Sequence, residues 1–375
     1  MFILHCAPIS HNSINGLCRS VSGLAIGQYH NNNKIGLITL KESERIVPKE
    51  IYWKSLGKQN ILISYFRDPF KDLIKYEGRP DIVNFHDIYN IKQIFLIKHA
   101  LKNDLKIYIT PRGAFSPVAL KRSRLKKFIF INILIRPLIK KIEGIVALNK
   151  NEKLFINKLF SKKTIIISNG IKNNKKLFNN NLYIYKEKKL KKDLIIGFVG
   201  RFDIHIKGLD TLLNAFLEYQ KSTDLNKICL VFLGDHRIKK NEYDSEKYFE
   251  SVKNKLIDKS KFKILPPIYS NKKFIEISKF DLLIQPSRTE GMPNTVLEAM
   301  SIGIPCCVSP ETNMEDIIKS SNGGWVINRD IEDIKNFFLM VEKCDKNQLY
   351  DIGIKGMDYA YKHLLWDTIG KTKYG

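Results

Sequence analysis

Two periods alternate along the 375-residue chain. Short apolar runs bounded by Gly, Pro, Asn or Asp are followed by longer stretches in which apolar residues recur every third or fourth position. Runs of the first kind read as buried strands and those of the second as amphipathic helices. Their alternation predicts parallel sheets of the doubly wound α/β class. In the first half, strands are expected at 2–7, 34–40, 81–85, 105–109, 144–148 and 164–167, with helices over about 17–29 and 90–102. Asn149 and Glu152 have capping-box spacing at the start of a further short helix. Residues 41–80 are irregular. The rhythm restarts at 194–199, with strands at 228–233, 262–265, 281–286, 304–308 and 324–327. Helices are expected there over about 209–220, 244–257, 313–319, 330–343 and 345–364. Between the halves, 171–193 holds eight lysines among asparagines and few acids, which reads as an exposed linker. The expected organisation is a domain over 1–170, a linker over 171–193 and a second domain from 194.

In open parallel sheets, ligands bind beyond the carboxyl ends of the strands. In the first domain the Gly16 loop, His86 and Arg112 fall at such ends. Each has a plainer reading, as a turn glycine or a structural side chain, but three together define one rim of a cleft. In the second domain Gly200-Arg201 and Lys207-Gly208 flank a loop at another strand end. A guanidinium fork and an ammonium suit a diphosphate; two ordinary surface cations are the alternative. The stretch Ser287-Arg-Thr-Glu290-Gly291-Met292-Pro293-Asn294-Thr295-Val-Leu-Glu298-Ala-Met300 leaves a buried strand through a loop and enters a helix at Pro293 and Asn294. Free N–H groups at that start suit a phosphate, and Glu298 lies roughly 8 Å further along. Read plainly, the two glutamates are solvated surface residues. Neither a Walker loop nor a G-x-G-x-x-G fingerprint is present, which disfavours an ATPase or a dehydrogenase.

Composition narrows the classes. At 44% hydrophobic the chain can bury two cores. The net charge of +25 favours an anionic partner, although joint enrichment in Lys, Asn and Ile also fits a base-composition bias of the gene. The six cysteines are scattered, so neither disulfides nor a metal site is expected. No apolar run reaches membrane-span length, and the start of the chain lacks the charged leader of a signal peptide, so a cytoplasmic location is expected. Within a basic helix over 120–142, Lys121, Arg122, Arg124, Lys126 and Lys127 precede the apolar run 128–135. That segment either lies on an anionic membrane surface or is a core helix with a solvated first turn.

Taken together, Gly200-Arg201…Lys207-Gly208-Leu-Asp210, Glu290-x7-Glu298 inside E-G-M-P-N-T-V-L-E-A-M, and Gly303-x-Pro305 resemble the family 4 retaining glycosyltransferases, over about 194–328. The first domain's likeness rests on the Gly16 loop, F-H-D at 85–87, Pro111-Arg112-Gly113 and Ser168-Asn-Gly170. It is similar to enzymes that build bacterial surface polysaccharides. The resemblance implies the GT-B architecture, two Rossmann-like doubly wound parallel-sheet domains facing across a cleft. The second domain would span 194–358, and a terminal helix over about 359–375 would pack back on the first. It implies Glu290, Arg201 and Lys207 as catalytic residues, with no metal and no cofactor. The donor site would comprise Gly16, Gly200, Arg201, Lys207, Gly291, Met292, Pro293, Asn294, Thr295 and Glu298. There Arg201 and Lys207 would hold the diphosphate, Glu290 the sugar hydroxyls and Glu298 the ribose. His86 and Arg112 would lie on the acceptor side, Arg112 standing where many relatives carry His. The implied partners are a UDP- or GDP-sugar, a lipid-linked glycan acceptor and the inner membrane surface, with no nucleic acid. Two other readings are a nucleotide-sugar epimerase of the same architecture and a basic protein that binds nucleic acid or a membrane surface.

Overall fold

The computed structural model describes every residue except 10–15, 58–67, 122, 176–192, 236–238, 241–242 and 375. Arg122 and most of the lysine-rich tract therefore lie outside the described residues. The chain forms two compact units, Met1–Gly170 with His363–Gly375, and Ile171–Lys362.

The first unit holds β1 (Phe2–Ala7), β2 (Lys34–Thr39), β3 (Tyr52–Ser55), β4 (Ile82–His86), β5 (Ile107–Thr110), β6 (Gly144–Ala147) and β7 (Thr164–Ile166). They pair in parallel in the order β3-β2-β1-β4-β5-β6-β7. Every residue of β1, β4, β5 and β6 is buried, because helices cover both faces of such a sheet. Residues 41–80, irregular in sequence, supply β3 and the helix Pro69–Glu77, capped by Asp68 accepting from the Phe70 N–H at 2.9 Å. β3 escapes a pattern reading because it is a four-residue edge strand with no buried position. The basic segment is not one helix. It runs as Pro117–Lys121, Arg124–Phe130, a π-helical turn Ile131–Ile135 and Arg136–Lys141. Ser123 breaks it with a left-handed φ of 53°, and Pro137 cannot donate to the carbonyl four residues earlier, so the turn before it widens.

The second unit contains β8 (Leu194–Arg201), β9 (Ile228–Asp235), a short ribbon of β10 (Lys239–Lys240) and β11 (Tyr243–Asp244), then β12 (Phe262–Leu265), β13 (Leu282–Gln285), β14 (Cys306–Val308) and β15 (Gly324–Val326). Apart from the ribbon they form a parallel sheet ordered β12-β9-β8-β13-β14-β15. Phe198, Phe202, Phe232 and Phe249 fill the space beneath it, Phe202 stacking on Phe249 at 5.0 Å. In both sheets the strand order reverses beside the first strand, at β1/β4 and at β8/β13. A crevice at the carboxyl ends opens at such switch points.

The end of the chain returns to the first unit from His363, a few residues later than the expected 359, since the helix Lys346–His363 belongs to the second unit as far as Lys362. Trp366 seats its ring in a slot walled by glycines. A Cβ on Gly23 would lie 2.2 Å from that ring, and one on Gly170 2.8 Å from it. Tyr374 is buried against Tyr108, whose hydroxyl donates to the Tyr374 carbonyl at 2.9 Å. The Asn84 amide donates to the Tyr374 hydroxyl at 2.9 Å.

Candidate active site

In the second unit the carboxyl ends of β8 and β13 bring two loops together. Gly208 caps the helix Leu209–Lys221 with φ 65°, and a Cβ there would meet the Pro286 carbonyl at 2.0 Å, so only glycine lets the loops touch. Arg288 then ties them. Its N–H donates to the Ile206 carbonyl at 2.8 Å, and its guanidinium grips Asp210 with two bonds of 2.6 and 2.8 Å. A further bond reaches the His205 carbonyl at 2.7 Å. Bidentate Arg–carboxylate geometry is the strongest side-chain tie between loops of this kind.

Within this frame Lys207 and Glu290 meet: the ammonium donates to Glu290 Oε1, and each side chain is 17% exposed. Ser287 also donates to Oε1, at 3.0 Å, and receives a bond of 2.8 Å from Gln285. The Glu290 backbone is fixed by Glu311, whose carbonyl accepts its N–H at 3.1 Å, and by the Asn313 amide, which donates to its carbonyl at 2.7 Å. Arg201, the last residue of β8, is exposed, and among the described residues its guanidinium has no side-chain partner. Gly200 pairs with Gly234 across β8 and β9 so closely that a Cβ on Gly234 would lie 1.7 Å from the Gly200 carbonyl.

The helix Asn294–Met300 starts after Pro293, with Met292 and Pro293 buried and Gly291, Asn294 and Thr295 half-buried at its mouth. Glu298 lies on it, ion-paired to Lys273 of the helix Ser270–Ile277, and both are largely buried. An isolated charge so placed would be costly, and the pairing offsets part of that cost. Among the described residues no group of three or more His, Cys, Asp or Glu could hold a metal ion.

The remaining candidates belong to the first unit. Gly16 opens the helix Gly16–His30. His86 ends β4 and is fully buried. Arg112 follows β5 with a left-handed φ of 55°, as does Gly113 at 82°. The turn aims the guanidinium at His86 Nδ1, 3.2 Å away, and at Asn169 Oδ1, 3.1 Å away. A guanidinium can only donate, so His86 Nδ1 accepts and its Nε2–H donates to His5 Nδ1 at 2.9 Å. His5 Nε2–H then donates to Gln28 Oε1 at 2.7 Å. Both rings are thereby neutral. Burial lowers the His5 pKa to about 4, and burial followed by the Arg112 charge holds His86 well below the usual range. Glu152 accepts from the N–H groups of Leu148 and Gly113, at 2.7 and 2.5 Å, and so anchors the Arg112 turn besides closing its own helix start.

Sequence reasoning passed over Arg288, Lys273, Ser287, Asn313 and His5. Arg288 stands two residues before Glu290, which is a weak signal. Lys273 and Asn313 look like any surface polar residue until their distant partners are known.

Residues 179–351 match the family model described as Glycosyl transferases group 1, so this part of the chain is a domain of that kind. No curated protein sequence matches the chain at a significant level. Among solved structures, HepE from Anabaena in complex with UDP is similar over 99% of this chain and 98% of its own, at 13% identity and a TM-score of 0.74. Sucrose-phosphate synthase from Thermosynechococcus elongatus matches over 99% and 96%, at 13% identity and a TM-score of 0.72. WaaG, a glycosyltransferase involved in lipopolysaccharide biosynthesis, matches over 98% of both chains at 16% identity and a TM-score of 0.68. The two parallel-sheet, Rossmann-like domains are those of GT-B glycosyltransferases.

Proposed function

We propose that the chain is a retaining glycosyltransferase of family 4. It moves a hexose or hexose derivative from a nucleoside diphosphate to a lipid-linked or polysaccharide acceptor in bacterial surface glycan synthesis. The observation that carries this reading is the cluster at the β8/β13 switch point, where Arg201, Lys207 and Glu290 stand at the ends of two adjacent strands. The helix carrying Glu298 begins beside them. A diphosphate leaving group develops negative charge as the glycosidic bond breaks, and two fixed cations stabilise it without a metal. Glu290 Oε2, which accepts no hydrogen bond among the described residues, is open to sugar hydroxyls. Glu298 is assigned to the ribose, and the backbone at 291–294 to phosphate. His86 and Arg112 are assigned to the acceptor side, the buried histidine chain holding Arg112 in place. HepE is solved with UDP and with UDP-glucose, which supports a nucleotide-sugar donor here.

A thermal-shift panel of UDP, GDP, ADP and their sugars tests the reading. The fitting donor stabilises the protein by about 2.7 kcal/mol at a hundred times its Kd. No shift with any member contradicts a donor site.

The reading also takes the protein to the inner face of the cytoplasmic membrane through the basic segment. No Asp or Glu occurs between 105 and 142. Leu125, Phe128 and Ile133 are exposed at 72, 65 and 65%, beside the exposed Lys121, Arg124 and Lys126. Lys127 does not share this face, for its ammonium donates to the Ala119 carbonyl and lies 5.0 Å over the Tyr89 ring. No helix among the described residues is long and apolar enough to cross a membrane. Changing Leu125, Phe128 and Ile133 together to Ser is expected to weaken binding to phosphatidylglycerol vesicles by about tenfold or more, since each buried apolar side chain contributes about 1.5–3 kcal/mol. Unaltered vesicle binding refutes this assignment.

A further inference from the structure

The two cations assigned to the diphosphate differ in availability. Arg201 is exposed and without a side-chain partner among the described residues, whereas Lys207 is engaged by Glu290. A diphosphate therefore meets one open cation and one already neutralised. The Lys207–Glu290 pair is mostly out of water, so its attraction is only weakly screened. It is not what holds the two loops together. Arg288 does that through Asp210 and the Ile206 and His205 carbonyls, and the contact of Gly208 with Pro286 closes the other side. The pair can part while the loops keep their places. Glu290 also remains oriented when Lys207 leaves it, because Glu311 and Asn313 hold its backbone and Ser287 its Oε1.

We infer that Glu290 is the resident counter-ion of Lys207 and that a nucleoside diphosphate replaces it there. The inference rests on the donor-site reading above. Phosphate oxygens approach Arg201 first and then take over the ammonium of Lys207. The released carboxylate is left with Ser287 alone, and both its oxygens can then accept from hydroxyl groups of the bound sugar. Recognition of the sugar is thus conditional on recognition of the diphosphate. The same arrangement makes the free protein bind a bare diphosphate more weakly than its two cations alone would allow.

Calorimetric titration with UDP, GDP and ADP tests this on the wild type, Glu290→Gln, Lys207→Met and the double variant. Gln keeps the shape of the side chain and removes its charge. Glu290→Gln is expected to bind the diphosphate at least about fivefold more tightly, the scale of a partly exposed ion pair. In the Lys207→Met background the same change should have little effect. Equal or weaker binding by Glu290→Gln overturns the exchange. So does equal tightening in the Lys207→Met background, which would mean simple repulsion between carboxylate and phosphate. Failure of the wild type to bind UDP, GDP and ADP alike instead overturns the donor-site reading on which the exchange depends.

Discussion

Replacing Lys207 or Glu290 with Ala lowers kcat/KM for release of nucleoside diphosphate from the donor by about 10²–10³ or more, the usual effect of removing one preorganised charge from a transition state. On the proposed reading Lys207 acts on the departing phosphate and Glu290 on the sugar, so each loss is expected to fall on the chemical step rather than on folding. The unfolding midpoint stays near that of the wild type, because Arg288, Asp210 and Gly208 join the loops independently. Each of the two side chains keeps 17% exposure, so water can reach the charge left behind instead of leaving it stranded in a dry core. Turnover assays paired with denaturant unfolding check both halves. Near-normal turnover in either variant means the site is misassigned, and loss of folding means the pair is structural.

Trp366→Ala destabilises the first unit by about 3–5 kcal/mol, the range for emptying a buried aromatic site. Gly23, Gly27 and Gly170 leave the space that its ring and backbone occupy, and glycine walls cannot extend side chains into the void. Gly370 packs on Gly27 and Tyr374 on Tyr108 further along, so loosening Trp366 weakens those contacts as well. Urea unfolding followed by fluorescence separates the units, since Trp53 lies in the first and Trp325 in the second. An unchanged transition at Trp53 contradicts the account of the tail.

Much of the fold was legible because parallel strands covered on both faces read as unbroken apolar runs, as in β1, β8 and β9. β3 was not, being a short and incompletely buried edge strand. The break at Ser123 and the widened turn before Pro137 were also missed, since composition over 120–142 favours one continuous helix. Among the candidate site residues, those at strand ends can be picked out by position: Gly200, Arg201, Lys207, Glu290, His86 and Arg112. Those whose role depends on a distant partner did not. Arg288 matters through Asp210, and Lys273 through Glu298, seventy-eight and twenty-five positions away. Glu152 has the spacing of a capping box, yet its carboxylate also fixes the turn of Arg112, which no local pattern encodes. His5, inside an apolar strand, is recognisable only once His86 and Gln28 lie beside it.

Hydrogen exchange with and without the nucleoside diphosphate selected by the thermal panel tests the central claim most directly. The account predicts slowed exchange at the amides of 200–208 and 287–295, where the two loops and the start of the helix Asn294–Met300 meet. Bound nucleotide that leaves both segments unchanged and protects others instead would contradict it.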